Sequence, residues 1–167
     1  NRILQFLDKM SGAVRILTVD FSKAFDKLPH DVIIDACIKF KIPVSVITWL
    51  RDFLSNRSQC VRVNSHVSPS FSASSGVPQG SIIGPIVFCM AVDNYTALYP
   101  NSSIIMYADD LTLLHFIRKP GDDCLQFELD NIVSWSNTSG LPINYSKCNV
   151  TDVVTKKELC LAPVKLP

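Results

Sequence analysis

Charged residues are scarce in this sequence: Asp, Glu, Lys and Arg make up 19% of the 167 residues, against 47% hydrophobic residues. This balance excludes an intrinsically disordered chain, because so much apolar surface can be buried in a core. The net charge of +1 shows no strong bias of either sign, so composition alone neither favours nor excludes a polyanionic partner. The length suits one domain with a hydrophobic core.

Long apolar runs and secretion signals are also missing. The densest apolar run, SIIGPIVFCMAV at 81–92, is shorter than the ~18 residues that cross a bilayer and predicts a buried helix. The sequence has neither an initiating Met nor a signal-peptide pattern at its start. We therefore expect an intracellular protein of the nucleus or cytoplasm, with no membrane partner. We also expect a fragment of a longer polypeptide.

Cysteine pairs with metal-ligand spacing are absent, and so is the phosphate-binding pattern GxxxxGK[ST]. The six cysteines form no CxxC motif; they are Cys37, Cys60, Cys89, Cys124, Cys148 and Cys160. Several lie in apolar segments. This pattern favours buried, reduced thiols over a zinc site or disulfides.

Strand and helix patterns alternate along the chain. The compact apolar segment 14–20 predicts a strand, and helices are predicted at 29–42, 45–56 and 122–136. Further expectations are a hairpin that turns at 64–66, a loop at 74–85 that feeds an apolar helix up to about residue 98, a strand–turn–strand unit around 103–116, and a weakly patterned end over the last 20 residues. Mixed helices and hairpins predict an α+β domain with two layers.

Two adjacent carboxylates, Asp109 and Asp110, interrupt the apolar run SIIMYADDLTLLHF. Buried unpaired charges are costly, so such groups are expected to be paired or to hold a metal. Asp20 closes the predicted strand 14–20. If these strands are neighbours in one sheet, the three carboxylates converge at one edge and suit Mg²⁺ and two-metal phosphoryl transfer.

The residues alone leave other interpretations of these acids open. An Asp pair in a turn is commonly a solvated loop, since Asp favours turns, and Asp20 is a possible helix N-cap. A glycosidase also uses two acids, but usually in a longer barrel or cleft than this chain provides.

Four segments stand in the order, and at roughly the spacing, of reverse transcriptase palm motifs. They are VDFSKAFDKLPH (19–30), SGVPQGSIIGP (75–85), YADD (107–110) and GLPINYSKC (140–148). Over about residues 3–150 the chain resembles the reverse transcriptase of a non-LTR (LINE or jockey-like) retrotransposon. The resemblance implies a polymerase palm, an antiparallel ferredoxin-like sheet packed on helices, with partial fingers connections. It also implies one palm domain over 1–167, with a motif-bearing core at 14–150.

The resemblance implies a catalytic set of four residues. Asp20 matches the first metal-binding aspartate, Asp109 the second, and Asp110 the acid beside it. Lys147 matches a lysine proposed to protonate pyrophosphate; a surface lysine is the alternative. The implied cofactor is a pair of Mg²⁺ ions, with Mn²⁺ as a substitute.

The resemblance also implies a nucleotide-binding set: Phe21, Phe25, Gln79 and Gly80. Phe25 follows Asp20 by five residues, where the family places a bulky ring under the sugar. Such a ring clashes with a 2′-hydroxyl and selects deoxynucleotides; the alternative is a core side chain. Gln79 and Gly80 match the loop that contacts the incoming nucleotide and template.

The implied partners are an RNA template, a DNA primer and dNTPs. The chain lacks the basic fingers, the primer grip, the thumb and the endonuclease of the family, so these are expected elsewhere in the same parent polyprotein. It also reads Asp93-Asn94 where the family usually has Asn-Asp. The fragment by itself is expected to be inactive.

Two other functions stay open from the sequence. One is a non-catalytic nucleic-acid-binding domain, or a retroelement relic that keeps the fold without activity. The other is a Mg²⁺-dependent phosphotransferase or hydrolase that uses the same acids without a template; the missing GxxxxGK[ST] loop weakens it.

Overall fold

The computed structural model describes residues 2–9, 12–119, 121–155, 159 and 161–165. Its α-helices are Arg2–Lys9 (α1), Ala24–Lys27 (α2), His30–Lys39 (α3), Val44–Leu54 (α4), Ile83–Val92 (α5) and Leu125–Ser139 (α6). Its strands are Ala13–Asp20 (β1), Arg57–Gln59 (β2), Arg62–Val63 (β3), His66–Val67 (β4), Phe71–Ala73 (β5), Ser102–Tyr107 (β6), Asp110–Ile117 (β7) and Asn149–Val154 (β8), and a 3₁₀ turn covers Tyr145–Lys147.

The chain divides into two compact units. The first contains Asn1–Ser22, Tyr95–Thr138 and Pro142–Pro167, and the second contains Lys23–Asn94 and Ser139–Leu141. The prediction of a single domain over 1–167 stays a prediction. No helix in the described part of the chain is long and apolar enough to cross a membrane.

A four-stranded antiparallel sheet forms the first unit, in the order β6-β7-β1-β8. Along the chain, β1 is followed by helices, then by β6 and β7, then by α6 and β8. This β-α-β-β-α-β order is the connectivity of a ferredoxin-like sheet. The predicted α+β class and antiparallel ferredoxin-like sheet are therefore confirmed.

The central strand β1 is mostly apolar because most of its side chains are buried. Val14, Leu17 and Val19 are buried, and β7 pairs with the whole strand from Ala13 to Asp20. The polar exception is Arg15, which is 4% exposed and bonds to the carboxylates of Asp123 and Asp152. A buried charge requires such partners, and these bonds tie β1 to β8 and to the loop before α6.

The last strand, β8, was missed by the sequence pattern. It pairs antiparallel with β1, with Val150 opposite Leu17. Its residues are mostly exposed, so as an edge strand it lacks the apolar alternation by which half-buried strands are recognised. The segment is weakly patterned, as expected, but it nevertheless forms a strand that was not predicted.

Helix α6 buries Leu125, Leu129 and Ile132, the spacing that predicted it. It begins at Leu125 rather than at 122, because Asp123 instead bonds to Arg15 and accepts a hydrogen bond from the Leu125 N–H. Glu128, which precedes Leu129, is also fully buried.

In the second unit, α3 packs against α4 and α5. Helix α5 ends at Val92, six residues before the predicted end. The predicted hairpin is present as β3 and β4, but His66 pairs with Val63, so only residues 64 and 65 form its turn.

The five described cysteines are free thiols. Cys37 is buried as expected, whereas Cys60 and Cys89 are exposed, so burial was wrongly predicted for those two.

Candidate active site

The β6–β7 hairpin carries the Asp pair. Tyr107 pairs with Asp110, which leaves Ala108 and Asp109 as a two-residue turn. Ala108 has a φ of 53°, the positive value that tight hairpin turns require at the first central position. A non-glycine residue there costs ~1–2 kcal/mol. Asp109 therefore projects from a tight turn whose backbone is conformationally restricted.

Asp20 lies beside this turn. It ends β1, and its Cα partner across the ladder is Asp110, so β1 and β7 are the neighbours that the sequence suggested. Side chains of directly opposite residues lie on the same face of a sheet, ~5 Å apart, where like charges repel each other. Asp20 is partly buried and Asp110 is exposed. The end of the sheet thus concentrates negative charge.

One cation in this unit already reaches Asp20. The Nζ atom of Lys147 lies 3.4 Å from Asp20 Oδ2. The Lys147 side chain is 64% exposed and that of Asp20 is 28% exposed, so the pair contributes less than about 1 kcal/mol to stability. The ion pair matters for position instead, because it places the Lys147 amine beside Asp20.

Backbone bonds hold Lys147 in this position. The Asn144 N–H donates to the Asp20 carbonyl at 2.8 Å, and the Ser22 N–H donates to the Pro142 carbonyl at 2.7 Å. Phe21 and Ile143 form an antiparallel bridge between these two bonds. The segment before the 3₁₀ turn is therefore fastened to the end of β1.

Cys148, for which the sequence predicts only a reduced thiol, lies close to Asp20. Burial raises the pKa of the Cys148 thiol, a backbone hydrogen bond at Asp20 lowers it, and the negative charge of Asp20 raises it further. Burial and the charge of Asp20 thus both favour the protonated form of this thiol.

The donor set fits Mg²⁺ without forming a complete cage. Within the described ranges, no three Asp, Glu, His or Cys side chains are grouped so as to hold a metal ion. Mg²⁺ usually binds through one or two carboxylates, with water and substrate phosphates completing its shell. Asp20, Asp109 and Asp110 supply only oxygen donors, which suits this ion. The three-carboxylate ligand set stays a prediction.

Phe21 is the predicted nucleotide-binding residue that lies in the first unit. Its side chain is 4% exposed and packs edge-on against Trp135, with ring centroids 5.8 Å apart. The ring is therefore part of the core, and any contact with a nucleotide at this position falls to the backbone.

The other predicted nucleotide-binding residues lie in the second unit. The Phe25 ring is partly buried and stacks on Phe88, with centroids 4.2 Å apart and planes 20° apart. This stacking fixes the orientation of the ring. Packing and sugar selection are both compatible with such a fixed ring, so the predicted role of Phe25 stays a prediction.

Gln79 and Gly80 are exposed residues of the loop before α5. The Nε2 atom of Gln79 donates to Asp26 Oδ1 at 2.8 Å. Gly80 has a φ of 82° and no atom within 4 Å of an added Cβ, so its backbone conformation, rather than space, favours glycine.

A cleft of about 650 Å³ opens beside this loop within the second unit. Its lining includes the cations Lys23, Lys27 and Arg57 and the hydrogen-bonded pair of Asp26 and Gln79. Arg57 is committed to the fold, because it donates to the Leu54 and Gly76 carbonyls.

Two buried polar residues of the first unit were not anticipated. His115 is fully buried and accepts a hydrogen bond from the Cys124 N–H at 3.0 Å. Glu128 accepts the N–H groups of Leu98 and Tyr99 at 3.1 and 3.0 Å. A polar residue inside an apolar pattern was the available signal for both, and both serve the fold.

Comparison with known proteins supplies the family context. The family model described as "Reverse transcriptase (RNA-dependent DNA polymerase)" matches residues 2–159. The "Probable RNA-directed DNA polymerase from transposon X-element" of Drosophila melanogaster is 30% identical over 139 residues, 80% of this chain and 15% of that protein. The "RNA-directed DNA polymerase from mobile element jockey" of the same organism is 28% identical over 143 residues, 80% of this chain and 16% of that protein.

Solved structures show the same fold at low identity. Telomerase from Candida Tropicalis, truncated from its C-terminal domain, superposes with a TM-score of 0.67 at 13% identity, over 94% of this chain and 35% of that one. The chain thus spans about a sixth of the length of its retrotransposon relatives and about a third of this telomerase chain.

Proposed function

Since this chain belongs to the reverse transcriptase family and its relatives are polymerases of non-LTR retrotransposons, we propose that it is the palm of an RNA-directed DNA polymerase. The reaction adds a dNTP to the 3′-hydroxyl of a primer. Because the chain spans about a sixth of those relatives, the activity belongs to a larger polymerase of which this palm is the catalytic part.

One observation carries the proposal. The register sets Asp20 opposite Asp110, with Asp109 in the adjoining turn. A fold that needed only stability would not keep like charges directly opposite each other at a strand end. A nucleotidyl transferase needs this concentration of carboxylates for its metal ions.

Asp20, Asp109 and Asp110 are the residues that would hold two Mg²⁺ ions, or Mn²⁺ in their place, and the ions would activate the primer hydroxyl and stabilise the leaving pyrophosphate. Lys147 Nζ is the proposed proton donor to that pyrophosphate. An amine that the end of β1 holds in place meets the positional requirement of general acid catalysis.

The substrate and partners follow from the family. The nucleotide-binding residues are proposed as Phe21 through its backbone, Phe25 through its ring, and Gln79 and Gly80 through the loop. The ligands are an RNA template, a DNA primer and dNTPs. Fingers, thumb and endonuclease domains of the same polyprotein are proposed to complete the grip on them.

Asp109→Asn in the polymerase that contains this chain tests the proposal. Primer extension on an RNA template with Mg²⁺ is expected to fall by about 10³-fold or more, because charge stabilisation dominates such chemistry. Asp35→Asn is the matched control, since Asp35 is an exposed carboxylate on α3 and its loss is expected to leave extension unchanged. Extension by Asp109→Asn at the rate of the control contradicts the proposal.

A further inference from the structure

We propose that Asp26 is a positioning residue that sets which atoms of the Gln79 amide point towards the incoming nucleotide. The inference rests on the proposed function, because it concerns how a proposed nucleotide contact is oriented. Its structural basis is the 2.8 Å hydrogen bond from Gln79 Nε2 to Asp26 Oδ1, a contact that the sequence did not suggest.

The backbone brings these two residues together independently of their side chains. The Phe25 carbonyl accepts the Val77 N–H at 2.8 Å, and the Leu28 carbonyl accepts the Gly76 N–H at 2.8 Å. The Ser75 hydroxyl donates to the Asp26 carbonyl at 2.9 Å. Substitution of the Asp26 side chain leaves all three bonds in place.

Gly76 makes this approach possible. A Cβ built there lies 2.5 Å from the carbonyl oxygens of Phe25 and Asp26, and its φ is +74°. The two segments therefore touch through their backbones. Gln79 follows three residues later, so the fold fixes the backbone position from which its side chain reaches Asp26.

The chemistry of the pair then decides the orientation of the amide. A carboxylate only accepts hydrogen bonds, whereas a primary amide both donates and accepts. Asp26 therefore retains the Nε2 end of Gln79, and the Oε1 atom and the second N–H remain for a ligand. An amide held in one orientation presents a defined acceptor and donor, which a freely rotating amide does not.

Other partners for Asp26 are close at hand. Lys23 and Lys27 line the same cleft. Within the described residues Asp26 forms no ion pair with either lysine. The carboxylate instead binds the residue that is proposed to contact the nucleotide.

A double-mutant cycle in the polymerase that contains this chain tests the inference. Asp26→Ala is expected to raise KM for dNTP by about 3- to 30-fold, the loss of one charge-assisted hydrogen bond, with kcat changed much less. In a Gln79→Ala background, Asp26→Ala is expected to have no further effect on KM. Asp26→Asn, whose amide both accepts and donates and so no longer fixes one orientation of Gln79, is expected to raise KM by less than Asp26→Ala does, and Asp26→Glu to restore part of the affinity.

The outcomes separate this inference from the proposed function. Additive effects of Asp26→Ala and Gln79→Ala on KM would make Asp26 a structural residue and overturn the inference alone. So would a fall in kcat as large as the rise in KM, accompanied by a lower unfolding midpoint. Full extension by Asp109→Asn would instead overturn the proposed function. Asp35→Asn serves again as the control, with KM expected to match the wild type.

Discussion

At the scale of single residues, Phe25 combines packing with a proposed role in selection. Its ring is held against Phe88, and this contact restricts the rotamers that the side chain can adopt. A rigid ring excludes an extra oxygen more effectively than a mobile one, because the clash cannot be relieved by a change of rotamer. Packing against Phe88 is therefore compatible with the proposed role in selection, which stays a prediction.

Phe25→Val is expected to lower the ratio of kcat/KM for dNTP over rNTP by about 10- to 100-fold, because it removes a clash with the 2′-hydroxyl. Single-nucleotide incorporation kinetics measure this ratio. Phe71→Val, a change at an exposed ring on β5, is the control and is expected to leave it unchanged. An unaltered ratio in an active Phe25→Val polymerase would restrict the residue to packing.

Residues whose roles depend on distant partners were the hardest to predict. The approach of Lys147 to Asp20 depends on backbone bonds between segments far apart in the sequence. The same holds for the bond of Gln79 to Asp26. Local periodicity carries no information about such contacts, whereas the motif resemblance indicated the residues without their partners.

At the scale of elements, the strands with a dense apolar pattern were predictable. The segment 14–20 and the strand–turn–strand unit around Asp109 appear as β1, β6 and β7, although β6 lies at an edge of the sheet. The edge strand β8 was not, because its exposed residues need no apolar pattern. The end of α5 was also misplaced, since the segment beyond it is held by Glu128 rather than by helical bonds.

The junction between residues 25–28 and the loop at 75–77 depends on Gly76. Gly76→Ala is expected to lower the free energy of unfolding by about 2–4 kcal/mol, because a left-handed φ and a backbone clash act together. Gly80→Ala, with a similar φ but open space, is expected to cost only about 1–2 kcal/mol. Urea unfolding of both variants measures the difference. Equal losses would show that the clash at Gly76 contributes nothing.

At the scale of the whole molecule, the fold class followed from mixed strands and helices, and the family from four ordered motifs. The sheet order β6-β7-β1-β8 explains why motifs far apart in sequence form one acidic end: β1 and β7 are adjacent. Sequence patterns do not contain strand order, so the convergence of Asp20 with Asp110 was conditional until the register was known.

The claim that these acids bind catalytic metal ions is tested most directly by changing the metal preference of the site. Asp109→Cys replaces a hard oxygen ligand with a soft thiolate. Primer extension by this variant is expected to fall by about 10³-fold in Mg²⁺ and to recover in part when Cd²⁺ is added, while Asp109→Ala recovers in neither ion. Wild-type rates for Asp109→Cys in Mg²⁺, or equal recovery of Asp109→Ala in Cd²⁺, would contradict the account.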